Sequence, residues 1–389
     1  MTEFVEGNRI GLITSGLEYF PELIEQLDAA RGEIHLETYI FEDDATGREV
    51  AQALASAARR GVATHVMVDG FGSQDLDPAL VREMTDAGVE FLVYRRNISP
   101  WTLRRTRLRR LHRKIALIDA RVAFVGGINI MDEVQAPDGG VLPRFDYAVR
   151  VEGPLVAEIH RVVKRLWNRV IAYTITAHVP ERSLSPRSER RGDQRAAFIV
   201  RDNIRHRRDI EEAYLEAIDR ARAEILIANA YFLPGLGFRR ALFDAAARGV
   251  RVTLLLQGKV EYILQHYATR ALYGALLDAG VEIHEYHRSF MHAKVAVIDR
   301  HWSTVGSSNI DPFSLLLARE ANVMIEDEAF AWNLRSSLMV AIADGARQIR
   351  RERWKDQPRL TRIMSWGCYE VVRFLAGTFA YGRRREMTG

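Results

Sequence analysis

The feature that most limits what this chain can be is a spaced set of residues that occurs twice. His112-Arg-Lys114, four residues, Asp119, six residues and Gly126-Gly127-Ile-Asn129 return as His292-Ala-Lys294, Asp299 and Gly306-Ser307-Ser308-Asn309. Corresponding positions lie 180 residues apart. Solenoid repeats have far shorter periods, so the pattern implies two duplicated domains. The flanks agree: Asp28-Ala-Ala-Arg-Gly-Glu33 matches Asp219-Arg-Ala-Arg-Ala-Glu224, and Asp86-Ala-Gly88-Val-Glu90 matches Asp278-Ala-Gly280-Val-Glu282.

Local patterns give each half the same element order. In the first half, helical spacing over 18–30 precedes a strand over 33–41. A helix over 47–60 stops at Gly61 before a strand over 63–69, and a helix over 78–87 precedes a strand over 89–94. The second half repeats this with helices over 209–222 and 238–248, a further helix ending near Gly280, and strands over 224–232, 251–257 and 281–286. A helix over about 333–350 closes it. Strands alternating with helices predict an α/β fold, two pseudo-symmetric α/β/α-layered repeats with the active site at their interface. The expected division is 1–177 for the first repeat, 178–195 for a linker rich in Pro, Ser and charge, 196–350 for the second repeat and 351–389 for a C-terminal segment. At 389 residues, each repeat can have its own core.

Composition removes several function classes. One cysteine, Cys368, excludes an intramolecular disulfide and a cysteine zinc cluster. The N-terminus lacks the pattern of a signal peptide, and no apolar run is long enough for a conventional membrane span. Net charge is only +4, but residues 95–114 hold nine Arg or Lys and no acid. Most of that cluster is an insertion ahead of His112 that the second half lacks. Together with Arg383-Arg384-Arg385, it points to a polyanionic partner: nucleic acid or an anionic membrane surface.

The chemistry of the motif is that of phosphate. Alternate side chains of an extended segment share a face, so His112 and Lys114 point together, as do His292 and Lys294. Asp119 and Asp299 fall on the opposite face, which suits a structural role. The glycine pairs let the backbone return, bringing Asn129 and Asn309 beside the His-Lys pairs. Lysine and amide groups supply charge and fixed donors to phosphate oxygens, while imidazole can attack phosphorus or carry a proton. Two facing halves allow one histidine to attack and the other to protonate the leaving oxygen. Each imidazole also needs a carboxylate on Nδ1. Asp146, 34 residues after His112, and Glu320, 28 after His292, stand at equivalent places before apolar strands. Nothing in this set calls for a metal or another cofactor.

These stretches resemble the paired His-x-Lys-x4-Asp-x6-Gly-[Gly/Ser]-x-Asn signature of the phospholipase D superfamily over nearly the whole chain. Leu36-Glu-Thr-Tyr-Ile-Phe41, Arg110-Leu-His-Arg-Lys-Ile115, Asp146-Tyr-Ala-Val-Arg-Val-Glu-Gly-Pro154 and Val305-Gly-Ser-Ser-Asn-Ile-Asp-Pro312 look like the bacterial cardiolipin synthases. The likeness is to the B-type branch, which lacks the two N-terminal transmembrane helices of the A type. The resemblance implies a phosphatidyltransferase with phosphatidylglycerol as substrate, a phosphohistidine intermediate and release of glycerol. It implies a catalytic set of His112, Lys114, Asp119, His292, Lys294 and Asp299, with His112 as nucleophile and His292 as acid/base. It further implies a phosphate cradle of Lys114, Asn129, Lys294, Ser307 and Asn309. The first motif departs from the common Gly-Ser by carrying Gly127. A hydrolytic phospholipase D or a nuclease would use the same groups, so both stay open.

Residues 361–381 place large apolar side chains around a narrow stripe of Arg362, Glu370 and Arg373. That pattern suits a helix lying in a membrane interface, with one packed on the protein's own core as the competing reading; the resemblance implies the cytoplasmic face of a bacterial inner membrane.

Overall fold

A computed structural model describes residues 3–95, 109–132, 142–174, 184–186, 188–202, 206–311, 318–356 and 358–381. Most of the insertion, the first part of the linker (178–183) with residue 187, and Arg383 to Arg385 lie outside the described residues. The first half contributes strands β1 (Val5–Thr14), β2 (Glu33–Thr38), β3 (Ala63–Asp69), β4 (Glu90–Tyr94), β5 (Arg110–Leu111), β6 (Lys114–Ile118), β7 (Val122–Gly126) and β8 (Tyr147–Glu152). The second contributes β9 (Gln194–Arg201), β10 (Glu224–Asn229), β11 (Arg251–Gln257), β12 (Glu282–Tyr286), β13 (Lys294–Ile298), β14 (Trp302–Gly306), β15 (Ala318–Glu326) and β16 (Ala346–Ile349).

The strands run in the order β4-β3-β2-β6-β7-β8-β1, then across β9 into β15-β14-β13-β10-β11-β12-β16. Each half has three parallel strands at its outer side, β2-β3-β4 and β10-β11-β12, with antiparallel neighbours inward. The seam is the antiparallel pairing of β1 with β9, at Val5 with Ala196 and Asn8 with Gln194. Sequence patterning left both seam strands unassigned. Gly7, Asn8, Arg9 and Gly11 interrupt any apolar alternation in β1, which is fixed by its partners rather than by propensity.

Alternation within the strands sorts the core into layers. In β10, Ile225 and Ile227 face the outer helices Asp209–Arg220 and Leu236–Ala247, while Leu226 and Ala228 face inward. The first half does the same with Ile34 and Leu36 beneath helices Ser15–Ala29 and Ala45–Arg59. The inward layer belongs to both halves at once. Ile115, Leu117, Val125 and Val149 share one cluster with Val295, Val297, Val305 and Val323. Helices Leu155–Thr174 and Glu328–Gly345 add Ile159, Leu334 and Leu338 to it. The expectation of one core per repeat is therefore corrected: besides its own outer layer, each half shares an inner layer with the other half, to which its own long helix also contributes.

The end of the second repeat also differs from expectation. Its last helix ends at Gly345, and Ala346–Ile349 pairs with β12 as the edge strand β16. Beyond it, helix Arg359–Tyr381 lies against helix Ile263–Arg270, with Val372 fully buried and Ser365 nearly so. Among the described residues, no helix is long and apolar enough to cross a membrane.

Candidate active site

The site lies where the two halves meet, and the backbone builds it by exchange. β5 pairs in parallel with the start of β15, and the His112 N–H donates to the Arg319 carbonyl at 3.0 Å. Symmetrically, Phe145 bridges to Met291, and the His292 N–H donates to the Phe145 carbonyl at 2.8 Å. Each histidine is thus tied to the residue just before the other half's carboxylate. The side chains follow: His112 Nδ1 lies 3.0 Å from Glu320 Oε2, and His292 Nδ1 lies 2.7 Å from Asp146 Oδ2. Counting within each repeat pairs Asp146 with His112 and Glu320 with His292; the structure swaps the partners. A carboxylate only accepts, so each Nδ1 carries the proton and each Nε2 keeps its lone pair.

His112 and Lys114 share a face, with Lys114 Nζ donating to the His112 carbonyl at 2.6 Å. Lys294 Nζ donates to the His292 carbonyl in the same way and lies 3.8 Å from Asp146 Oδ2. Arg113, between the first pair, turns to the other face and forms a buried ion pair with Glu37. Tyr39 was missed as a site residue. Its ring centroid lies 4.8 Å from that of His112 and 5.3 Å from Lys114 Nζ.

Burial dominates the electrostatics. It drives the Lys114 ammonium down to about 7 against the pull of Glu320, with repulsion from Lys294 adding to the fall. Lys294 is lowered to about 8, again chiefly by burial, with Asp146 and Glu320 opposing. Burial raises Asp146 to about 6 although Lys294 and the Tyr147 N–H favour its charged form. Both histidines fall below the ordinary imidazole value. For His112, burial is opposed by Glu320; for His292, burial is reinforced by Lys294, Lys114 and Arg144, and the drop is larger. The Asp146 and Glu320 carboxylates beside the two buried ammoniums already hold the imidazoles, and a phosphodiester would bring a further anion to the lysines.

The remaining motif residues divide. Asn129 and Asn309 are buried; Asn129 Oδ1 accepts from the Ile40 N–H at 3.3 Å, and Asn309 Oδ1 has no partner among the described residues. Ser307, counted with the phosphate cradle, donates instead to Glu320 Oε2 at 2.5 Å and accepts from the Ala321 N–H. Gly127, its counterpart, has no room for a side chain: a Cβ there would sit 2.3 Å from Asp146 Oδ1. Asp119 and Asp299, placed with the catalytic set by resemblance, lie at the far ends of β6 and β13, about 16 Å along the strand from the lysines. Asp119 accepts the N–H groups of Arg31, Gly32 and Glu33, and Asp299 those of Arg222, Ala223 and Glu224. They fix the hairpin turns and touch none of the reacting groups.

This arrangement defines a class: a phosphotransfer site shared by two halves, with two oriented histidines and two buried lysines. Comparison with known proteins narrows it. Residues 23–167 and 214–339 match the family described as cardiolipin synthase, PLD-like domain. The chain is 42% identical to cardiolipin synthase B of Salmonella typhi and 41% identical to that of Escherichia coli K12, covering 94% of this chain and 87% of each relative. It is 30% identical to cardiolipin synthase A of Proteus mirabilis, over 94% of this chain and 75% of that protein. Among solved structures, phosphatidylserine synthase of Haemophilus influenzae superposes with a TM-score of 0.70 over 94% of both chains at 12% identity, which speaks for the fold alone. The chain belongs to the cardiolipin synthase family of phospholipase D-like proteins.

Proposed function

We propose that the protein transfers a phosphatidyl group from one phosphatidylglycerol to another, giving cardiolipin and glycerol. The observation that carries the mechanism is the crossed pair of His–carboxylate contacts, which engage both imidazoles through Nδ1 and so leave Nε2 as the nitrogen for chemistry.

In the first step His112 Nε2 attacks phosphorus, the bond from phosphorus to the headgroup glycerol oxygen breaks, and His292 gives that oxygen its proton. In the second, His292 takes the proton of the acceptor lipid's hydroxyl, the hydroxyl oxygen attacks phosphorus, and the bond to His112 breaks. The assignment of His112 as nucleophile and His292 as acid/base is the one the family resemblance implies; burial lowers both imidazoles below their ordinary value. Lys114, Lys294, Asn129 and Asn309 surround the phosphate oxygens, and Asp146 and Glu320 hold the imidazoles.

Access to lipid rests on helix Arg359–Tyr381. One face packs on the protein through Val372, while Leu360, Ile363 and Phe374 on the opposite side stay 77%, 68% and 70% exposed. The two readings of this segment are thus compatible: it docks and still presents an apolar stripe to an anionic bilayer from the cytoplasmic side. The substitution pair Ile363→Asp and Phe374→Asp should release the protein from phosphatidylglycerol vesicles; unchanged binding would place the contact elsewhere. The central test is to incubate the protein with such vesicles and identify the products. Cardiolipin and glycerol support the reading, and phosphatidic acid alone would replace it with hydrolysis.

A further inference from the structure

Asp69 and Gln257 occupy one position of the duplicated fold, the last residues of β3 and β11, and they pair with Tyr94 and Tyr286 at the ends of β4 and β12. Their side chains have opposite fates. The buried Asp69 carboxylate accepts the N–H groups of Phe71, Gly72 and Leu111, the last at 2.7 Å, and so fixes the loop ahead of His112. Gln257 is only 9% exposed, and among the described residues neither its Nε2 nor its Oε1 has a hydrogen-bond partner, whichever way the amide is turned. A buried amide left without a partner has lost its water contacts with nothing in exchange. In a position whose twin is saturated, that is the signature of a group waiting for a ligand.

Gln257 lines a cleft of ≈ 360 Å³, counted out to its open mouth and so including solvent space. Gln265 lines it too, and its Oε1 is likewise buried without a partner among the described residues. The cleft adjoins the reacting groups. Ala230 in its wall donates its N–H to the carbonyl of Ala293, which lies between His292 and Lys294. Glu261, also in the wall, accepts from the Tyr231 hydroxyl at 2.5 Å and meets Arg144 at 3.4 Å, two residues before Asp146.

We propose that this cleft seats a neutral polyol, the glycerol headgroup beside the scissile phosphate, and that Gln257 and Gln265 distinguish it from water and from amino-alcohols. The inference rests on the phosphatidyl-transfer reading above. Amides both donate and accept, which matches hydroxyls that do the same. The charges around the cleft disfavour an ammonium: Lys259 and Arg144 outnumber Glu261, and burial and Arg270 hold His266 toward its neutral form. Free glycerol can enter by reversing the first step. Its oxygen attacks phosphorus, the phosphorus–nitrogen bond to His112 breaks, and the proton goes to His292.

The test uses the full-length protein with phosphatidylglycerol vesicles and radiolabelled glycerol, reading label incorporated into lipid against glycerol concentration. The wild type should incorporate glycerol saturably and labelled ethanolamine not at all. Gln257→Leu and Gln265→Leu should each raise the half-saturating glycerol concentration roughly tenfold and shift products toward phosphatidic acid. If Gln257→Leu does not fold, Gln265→Leu carries the same expectation. Unchanged half-saturation in the folded variants, or ethanolamine used as well as glycerol, overturns the assignment while leaving transfer standing. A wild type that makes neither labelled lipid nor cardiolipin overturns the transfer reading and the cleft assignment with it.

Discussion

The two halves secure each other's histidine by different means. In the first, Gly127 leaves space that the short Asp146 carboxylate fills on its way to His292. In the second, Ser307 stands where Gly127 would be, and the longer Glu320 reaches His112 while accepting the serine hydroxyl. Glycine with aspartate and serine with glutamate are two matched solutions to one geometric task. The missing hydroxyl in the first motif is therefore no lost substrate contact. It is the condition for a shorter acid to sit close.

The largest expected effect asks whether both histidines are needed. His112→Ala and His292→Ala should each lower cardiolipin formation by at least about a thousandfold. Near-normal turnover in either would end the two-histidine scheme. Next come the crossed acids. Asp146→Asn and Glu320→Gln should each cost roughly 100- to 10,000-fold by loosening the tautomer. Histidine ¹⁵N NMR should show Asp146→Asn moving the His292 resonances and sparing His112; the reverse would mean that the halves are not exchanged.

The matched pairs themselves can be broken more gently. Gly127→Ser should cost about 100-fold by pushing Asp146 aside, and Ser307→Gly about tenfold by removing one donor from Glu320. Adding Asp146→Glu to Gly127→Ser should recover part of the loss. If it recovers none, the pairing of residue types is incidental.

The smallest effect is in the pH profile. Asp146 loses its proton above about 6, so kcat/KM should rise through that value. Lys114 and Lys294 lose charge above about 7 and about 8, so it should fall beyond them. Bound phosphate favours the charged ammoniums, so the alkaline limb of kcat should lie at higher pH than that of kcat/KM. Coincident limbs would show that these lysines do not face the phosphate.

A corresponding contrast appears below the site. Glu33 begins β2 with His160 at 2.7 Å and Lys164 at 3.4 Å, whereas its twin Glu224 is held by Arg251 and Arg335. Burial alone would raise Glu33, but hydrogen bonds from His160 and His35 and the charge of Lys164 bring its carboxyl well below the usual range. With its folded value depressed, Glu33 contributes stability above the ordinary carboxylate range that is lost as pH falls through the folded value.

Much of this was legible in the sequence because duplication makes each half a control for the other. The repeated strands and helices, the His-Lys faces and the carboxylates at equivalent positions all came from matched spacing. What spacing could not give was which half each acid serves. Asp146 is nearer His112 in the chain and touches His292, because β5 and Phe145 pair across the seam. The seam strand β1 was hidden by its polar and glycine residues, and Tyr39 by being one aromatic among thirteen tyrosines. Gln257 carried no signal until its twin Asp69 could be seen fully bonded.

The exchange of carboxylates bears on how such a chain could arise. A protein with one such repeat would hold a histidine with no acid of its own in reach, and could work only by meeting a second copy. Fusing two copies made that encounter permanent and freed each to change. Glycine beside aspartate in one and serine beside glutamate in the other are divergences that a symmetric pair of identical chains could never have kept.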